Sequence, residues 1–172
     1  RAMPFTGLAN AAIDRVMPDP ERFAATLATY AETDLLCYRA EAPAELVAAE
    51  AEAWEPLLGW ARERYDVHFE IVGGVVHRPQ PAATVARLGE ALGARDGFAL
   101  AAMNPLVTIG GSLVAALAVA EGAIEAEAAF AATHVDELWQ AKRWGEDKLA
   151  AQAREARRGD FLAAAAFLAL LE

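Results

Sequence analysis

Leu113-Val114-Ala115-Ala116-Leu117-Ala118-Val119-Ala120 is apolar on every side. A surface helix keeps a polar face, so a helix without one belongs at the centre of a domain, with other elements packed around it. Gly110-Gly111-Ser112 precedes the run and Glu121-Gly122 closes it, placing a break at each end. The longer apolar stretch, Leu106 to Ala120, is interrupted by the two glycines and is too short to span a bilayer. Thr108 to Gly111 with Ser112 has the outline of a phosphate-cradling helix start. It lacks a Lys-Ser/Thr pair and a strand-turn-helix frame with an acidic ribose partner, so close helix packing is the expected use of these glycines.

Downstream, Ala123 to Trp144 reads as one helix that Gly145 breaks. At 3.6 residues per turn Ile124, Ala128, Ala131, Val135 and Leu138 share a face flanked by Trp139, and this side is expected to pack inward. Phe130, His134, Glu137, Ala141 and Trp144 form a second stripe that mixes aromatics with a carboxylate. That stripe is either a contact surface or a face whose aromatics pack under neighbours while Glu137 stays solvated. Glu146 to Arg157 is a charged, solvent-facing segment, and Gly159-Asp160 opens a final apolar run, Phe161 to Leu171, expected to cap the core.

Upstream, Phe5 to Val16 places Leu8, Ala12 and Val16 on one face and ends at Met17-Pro18-Asp19-Pro20. Asp19 reads as an N-cap with Pro20 at the first helical position, opening a helix through Phe23, Leu27 and Tyr30. Leu35 to Tyr38 suits a strand or a helical turn equally. From Ala42-Pro43 a helix runs through Leu46 and Trp54; Glu55-Pro56 marks a restart, giving two helices or one kinked one with Trp54, Leu57, Leu58 and Ala61 on a shared face. Trp54 and Trp60 read as core. Val67 to His77 alternates like a strand, as a short hairpin or extended loop, and is the β-like segment of a mainly α chain. A helix through Val85, Leu88 and Leu92 closes at Gly93, and another, Phe98 to Met103, is expected to stop before Pro105.

With 172 residues the chain is long enough for one helical domain with its own core. Its 25 acidic against 15 basic residues give a net charge of −10, which argues against nucleic acid as a partner. Only two of the basic residues are Lys and Ala is abundant, the composition of a GC-rich bacterial coding sequence. Cys37 stands alone among Leu35, Leu36 and Tyr38, so it reads as a small buried hydrophobe in a reducing compartment rather than a catalytic thiolate. His68 and His77 have no carboxylate or Cys at metal-ligand spacing, so neither metal nor cofactor is expected. A chain starting at Arg1 in the lead-in to a helix is expected to be one domain of a longer protein.

Three stretches in register resemble the ATP synthase assembly chaperone family. The first is Met3-Pro4-Phe5-Thr6-Gly7-Leu8-Ala9-Asn10-Ala11-Ala12-Ile13-Asp14-Arg15-Val16. The second is Thr33-Asp34-Leu35-Leu36-Cys37-Tyr38-Arg39-Ala40, continuing through Pro43, Leu46, Trp54, Pro56, Leu57, Leu58, Trp60, Ala61, Arg64 and Tyr65; the third is Asp136-Glu137-Leu138-Trp139-Gln140 to Trp144-Gly145. The resemblance implies a helical C-terminal domain, residues 1–172 here, whose smaller β-rich N-terminal companion is absent. It implies a non-enzymatic chaperone that holds the free alpha subunit of F-type ATP synthase until the beta subunit replaces it. The sequence itself leaves the oligomeric state open with a monomer favoured, and no membrane insertion is expected; the expected location is the cytoplasm of a bacterium, and the mitochondrial matrix for eukaryotic relatives. The family's functional acid falls on Glu137, with Asp136 beside it. The expected partner-binding set is then Glu137, Asp136, Phe130, His134, Gln140 and Trp144. The chain departs from the family in having Leu138 and Trp139 where an acid and a tyrosine are commoner. The competing reading is an enzyme or small-ligand binder built from His68, His77, Cys37 and the acids, for which no nucleophile or cofactor motif is present.

Overall fold

Asp34, fully buried, ties the beginning of the chain to its centre. Its carboxylate accepts the backbone N–H of Leu36 at 3.1 Å and that of Val114 at 3.0 Å, while Leu35 N–H donates to the Gly111 carbonyl at 3.0 Å. Burial pushes the Asp34 carboxyl up to about 6 against the lowering effect of these bonds and of Ser112. The structure, a computed structural model, describes residues 3–74 and 76–171.

The described elements are α1 (Pro4–Ala11), continued by a π-helical turn (Ala12–Val16), α2 (Pro20–Ala28), a 3-10 turn (Leu35–Cys37), β1 (Tyr38–Arg39) and α3 (Ala44–Tyr65). After β2 (Val72–Gly73) come α4 (Ala82–Gly93), α5 (Gly97–Gly110), α6 (Leu113–Ala120), α7 (Ala126–Thr133), α8 (Val135–Trp144) and α9 (Lys148–Ala169). The architecture is mainly α. The Leu35–Tyr38 ambiguity resolves as a helical turn followed by a strand, and β1 pairs with β2 in parallel, so the β-like segment is no hairpin. Val75 lies outside the described residues.

The central helix is α6, in which Leu113, Val114, Ala115, Ala116, Leu117 and Ala118 are all buried. Ser112 caps it by accepting Ala115 N–H at 3.0 Å, and Gly111 takes the left-handed conformation (φ 66°) that ends α5. The first turn of α6 is therefore satisfied by Ser112 and Asp34, leaving no open phosphate cradle. Gly110 permits the close approach foreseen for it, since a Cβ there would stand 3.4 Å from Thr133 and 3.5 Å from Phe161. Around α6, α5 packs on α9, α2 on α4, and α3 on α6 and α8, with Phe5 of α1 against Phe167 of α9 at 5.9 Å.

Three expected boundaries are corrected. Helix α5 does not stop at Pro105 but runs to Gly110, because Leu106 and Val107 continue its buried face and outweigh one missing N–H. Helix α9 passes through Gly159 without a break, its apolar half held by Phe161, Ala164, Phe167 and Leu168. The predicted helix from Ala123 to Trp144 is two helices, α7 and α8, divided at His134. Helix α3 is the single-helix alternative, with Pro56 inside it.

Candidate functional site

The break at His134 is built from three side chains. The His134 ring stacks on Phe130 at 3.9 Å and 22° interplanar angle, and its Nδ1–H donates to the Phe130 carbonyl at 2.9 Å. Thr133 Oγ1 donates to the same carbonyl at 3.1 Å. With φ −116° and ψ 20°, His134 leaves helical geometry for one residue. Burial holds its pKa below the ordinary histidine value, so the ring works as a neutral donor at the end of α7.

This break exchanges the two faces expected from a continuous helix. Phe130 and His134, expected on the contact stripe, are buried; Phe130 meets Phe161 of α9 edge-on at 5.6 Å. Conversely, Ala128, Ala131 and Leu138 are exposed, and Ile124, Val135 and Trp139 are only half-buried. The physical reason is area: a face made largely of alanines gains little on burial, whereas a phenylalanine gains several times more.

The exchanged face lines an apolar groove of about 760 Å³ between α3 and the α7–α8 pair. Ala49, Ala53, Pro56 and Trp60 form the α3 wall, Ala128, Ala131, Val135, Leu138 and Trp139 the other, and Glu52 and Lys142 supply the charges. Trp54, buried as expected, fixes the spacing of the walls by donating Nε1–H to the Ala132 carbonyl at 2.7 Å. Trp60, half-buried against the core, also forms groove wall and stands edge-on to Tyr65 at 5.5 Å. Beyond the groove, Trp144 is 69% exposed and meets Trp139 edge-on at 5.4 Å, while Arg143 stacks over Trp139 at 5.5 Å. Leu149, in the first turn of α9, is exposed as well.

Helix α8 buries none of its own residues, and carboxylates hold it. Glu137 accepts from Arg157 Nη2 at 2.7 Å and Arg154 Nη1 at 3.4 Å, both on α9, and Arg154 also pairs with Glu146. Glu137 is thus on the α9 side of α8 and does not line the groove, although its side chain stays 36% exposed. Asp136 stands against Glu50 of α3, a buried acid that accepts the Ala40 N–H at 2.8 Å. Burial raises Glu50 to about 7, Asp136 pushes it further in the same direction, and the Ala40 bond and Arg39 oppose. Asp136 Oδ1 is buried with no hydrogen-bond partner among the described residues, and a protonated Glu50 carboxyl is the neighbouring group able to donate to Asp136. Gln140 is exposed on α8.

Of the expected set, Gln140 and Trp144 lie open, Glu137 and Asp136 fasten α8, and Phe130 and His134 shape the break beneath it. The sequence reading missed Glu50, Arg154, Arg157 and the α3 wall. Glu50 carried a signal: it interrupts the apolar row Leu46, Trp54, Leu57, Ala61 at core spacing. Among the described residues no three His, Cys, Asp or Glu side chains are grouped to hold a metal ion, and no helix is long and apolar enough to cross a membrane.

The family model described as ATP12 chaperone protein matches residues 1–62. The crystal structure of Atp12 from Paracoccus denitrificans superposes with a TM-score of 0.96 at 40% identity, covering 99% of this chain and 73% of that one. A single-site mutant of the P. denitrificans Atp12p gives 0.96 at 39% over the same shares. A candidate chaperone from Agrobacterium tumefaciens gives 0.92 at 38%, covering 99% of this chain and 64% of that one.

Proposed function

The chain belongs to the ATP12 chaperone family, and from that premise we propose that its client is the free alpha subunit of F-type ATP synthase. The protein is an assembly chaperone. The observation that carries the reading of its site is the uncovered groove between α3 and the α7–α8 pair, continued by Trp144 against Trp139. Uncovered apolar surface of this kind marks an interaction site, and tryptophan and arginine are the side chains that most often dominate binding energy.

On this reading the groove and the open face of α8, with Gln140 and Trp144, receive the client. Glu137 exchanges an α9 arginine for a basic group of the client, since its half-exposed ion pair is open to competition. Asp136 keeps α8 in register with α3, and Phe130 and His134 set the angle between α7 and α8. No enzymatic step is called for.

Co-purification tests this. Trp144→Ala and Glu137→Gln, each folded by circular dichroism, should lower recovery of tagged alpha subunit at least about tenfold. Full recovery with both would remove the α8 face from the interaction. Glu137→Lys sets a third cation beside Arg154 and Arg157, so it should lose the client and also lower Tm by a few degrees.

The groove volume also falls within the range of small-molecule sites. Such sites add several convergent polar groups, and this one has two charges, Glu52 and Lys142. A metabolite that raises Tm in a ligand panel, with no alpha subunit retained, would favour this second reading.

A further inference from the structure

Pro56 has no N–H, so the Glu52 carbonyl, four residues earlier in α3, lacks its helical donor. Both residues line the groove, and Glu52 is exposed. Among the described residues neither Glu52 nor Lys142, on the opposite wall, has an ion-pair partner. One wall thus offers a carboxylate and an under-bonded carbonyl within one turn, the other an ammonium.

We propose that the groove takes an amphipathic helix of the client protein, with a lysine or arginine on the edge facing Glu52 and an acid on the edge facing Lys142. The inference rests on the assembly-chaperone reading and adds the chemistry of the segment held. The occupant must be helical because both walls are helices, whose backbone groups apart from the Glu52 carbonyl are taken up within the helices, and the wall side chains are mostly apolar. An extended segment would bury its N–H and C=O groups there without partners, whereas a helix satisfies its own. Length agrees: Ala49 to Trp60 spans about 17 Å at 1.5 Å per residue, three turns, enough for apolar anchors at i, i+3 or i+4, and i+7. The alanines on both walls let a second helix axis approach to about 8–10 Å. A cationic donor on the α3 edge meets both the Glu52 carboxylate and its carbonyl, a charge-assisted pairing that a neutral side chain cannot reproduce.

The test uses the full chain and three labelled 14-residue helical peptides, read by fluorescence anisotropy. One has leucine anchors with lysine on the α3 edge and glutamate on the other, the second has glutamine in place of that lysine, and the third is scrambled. The first should bind about tenfold more tightly than the second, and the third not measurably. Glu52→Gln should abolish the difference between the first two. Ala131→Arg, at an exposed groove position where folding is little affected, should abolish binding of both. Equal affinity for the first two peptides, or binding unchanged by Ala131→Arg, overturns the proposal. So does a dimer in light scattering that Ala131→Arg dissociates, which would make a second copy the occupant. If Ala131→Arg still recovers alpha subunit, the groove assignment fails while the client reading stands. If the peptides behave as stated and alpha subunit is not retained, the client reading fails and the groove assignment stands.

Discussion

Glu50 sits where Leu46, Trp54 and Ala61 would predict another hydrophobe, and an ionised acid there would be expensive. Keeping its proton beside Asp136 removes most of that cost and links α3 to α8. The pH dependence follows from the direction of the shift. With the folded value near 7 and the ordinary one near 4.5, the native state holds an extra proton between the two. Its stabilising share is complete below about pH 4.5 and is lost as pH rises through 7. Glu50→Gln imitates the protonated acid, keeping an acceptor for Ala40 N–H and a donor for Asp136. Urea unfolding should show the substitution gaining on the parent protein by on the order of 2 kcal/mol between pH 5.5 and 8.5. Asp34 shifts in the same direction, but its contribution is common to both proteins and cancels in the difference. A pH-independent gap between the two would mean that Glu50 does not hold its proton in the folded chain.

At the scale of elements, the division of α7 from α8 decides where the groove lies. Phe130 holds it: stacked under His134, edge-on to Phe161, and receiving two donors on its carbonyl. Phe130→Ala should cost about 3–5 kcal/mol in urea unfolding, the range for removing a buried aromatic. It should also speed hydrogen exchange in α8, which has no buried residues of its own. Stability lost without faster exchange in α8 would separate core packing from control of this helix. The inversion of faces along the same stretch explains why the site was only partly legible in the sequence. Periodicity separated two stripes, but it assumed one helix and set the alanine-rich stripe inward, although the stripe bearing Phe130 gains more area on burial. Trp144 and Gln140, expected on the second stripe, lie exposed beyond the break, whereas Glu137 on the same stripe is taken up by the α9 arginines.

For the whole molecule, α6 was readable from eight consecutive apolar residues, and the cap at Asp19 from its side chain. Pro105 and Gly159 were not readable as interior positions: locally each marks an end, and only the burial of Leu106, Val107, Phe161 and Ala164 carries the helices through. The α3 wall was invisible for a different reason. A groove belongs to two elements about 80 residues apart, and no local pattern states which helices will face one another. One residue of that core serves as a reporter. Cys37 is fully buried, with its thiol pushed up to about 12 chiefly by burial and by Asp34. As the chain's single cysteine, it is sheltered from alkylating reagents while the fold is intact. Timed iodoacetamide capture followed by mass measurement should therefore clock how often the interior opens, and a bound client should slow that clock. Capture at the rate of a free peptide thiol would contradict the sheltering.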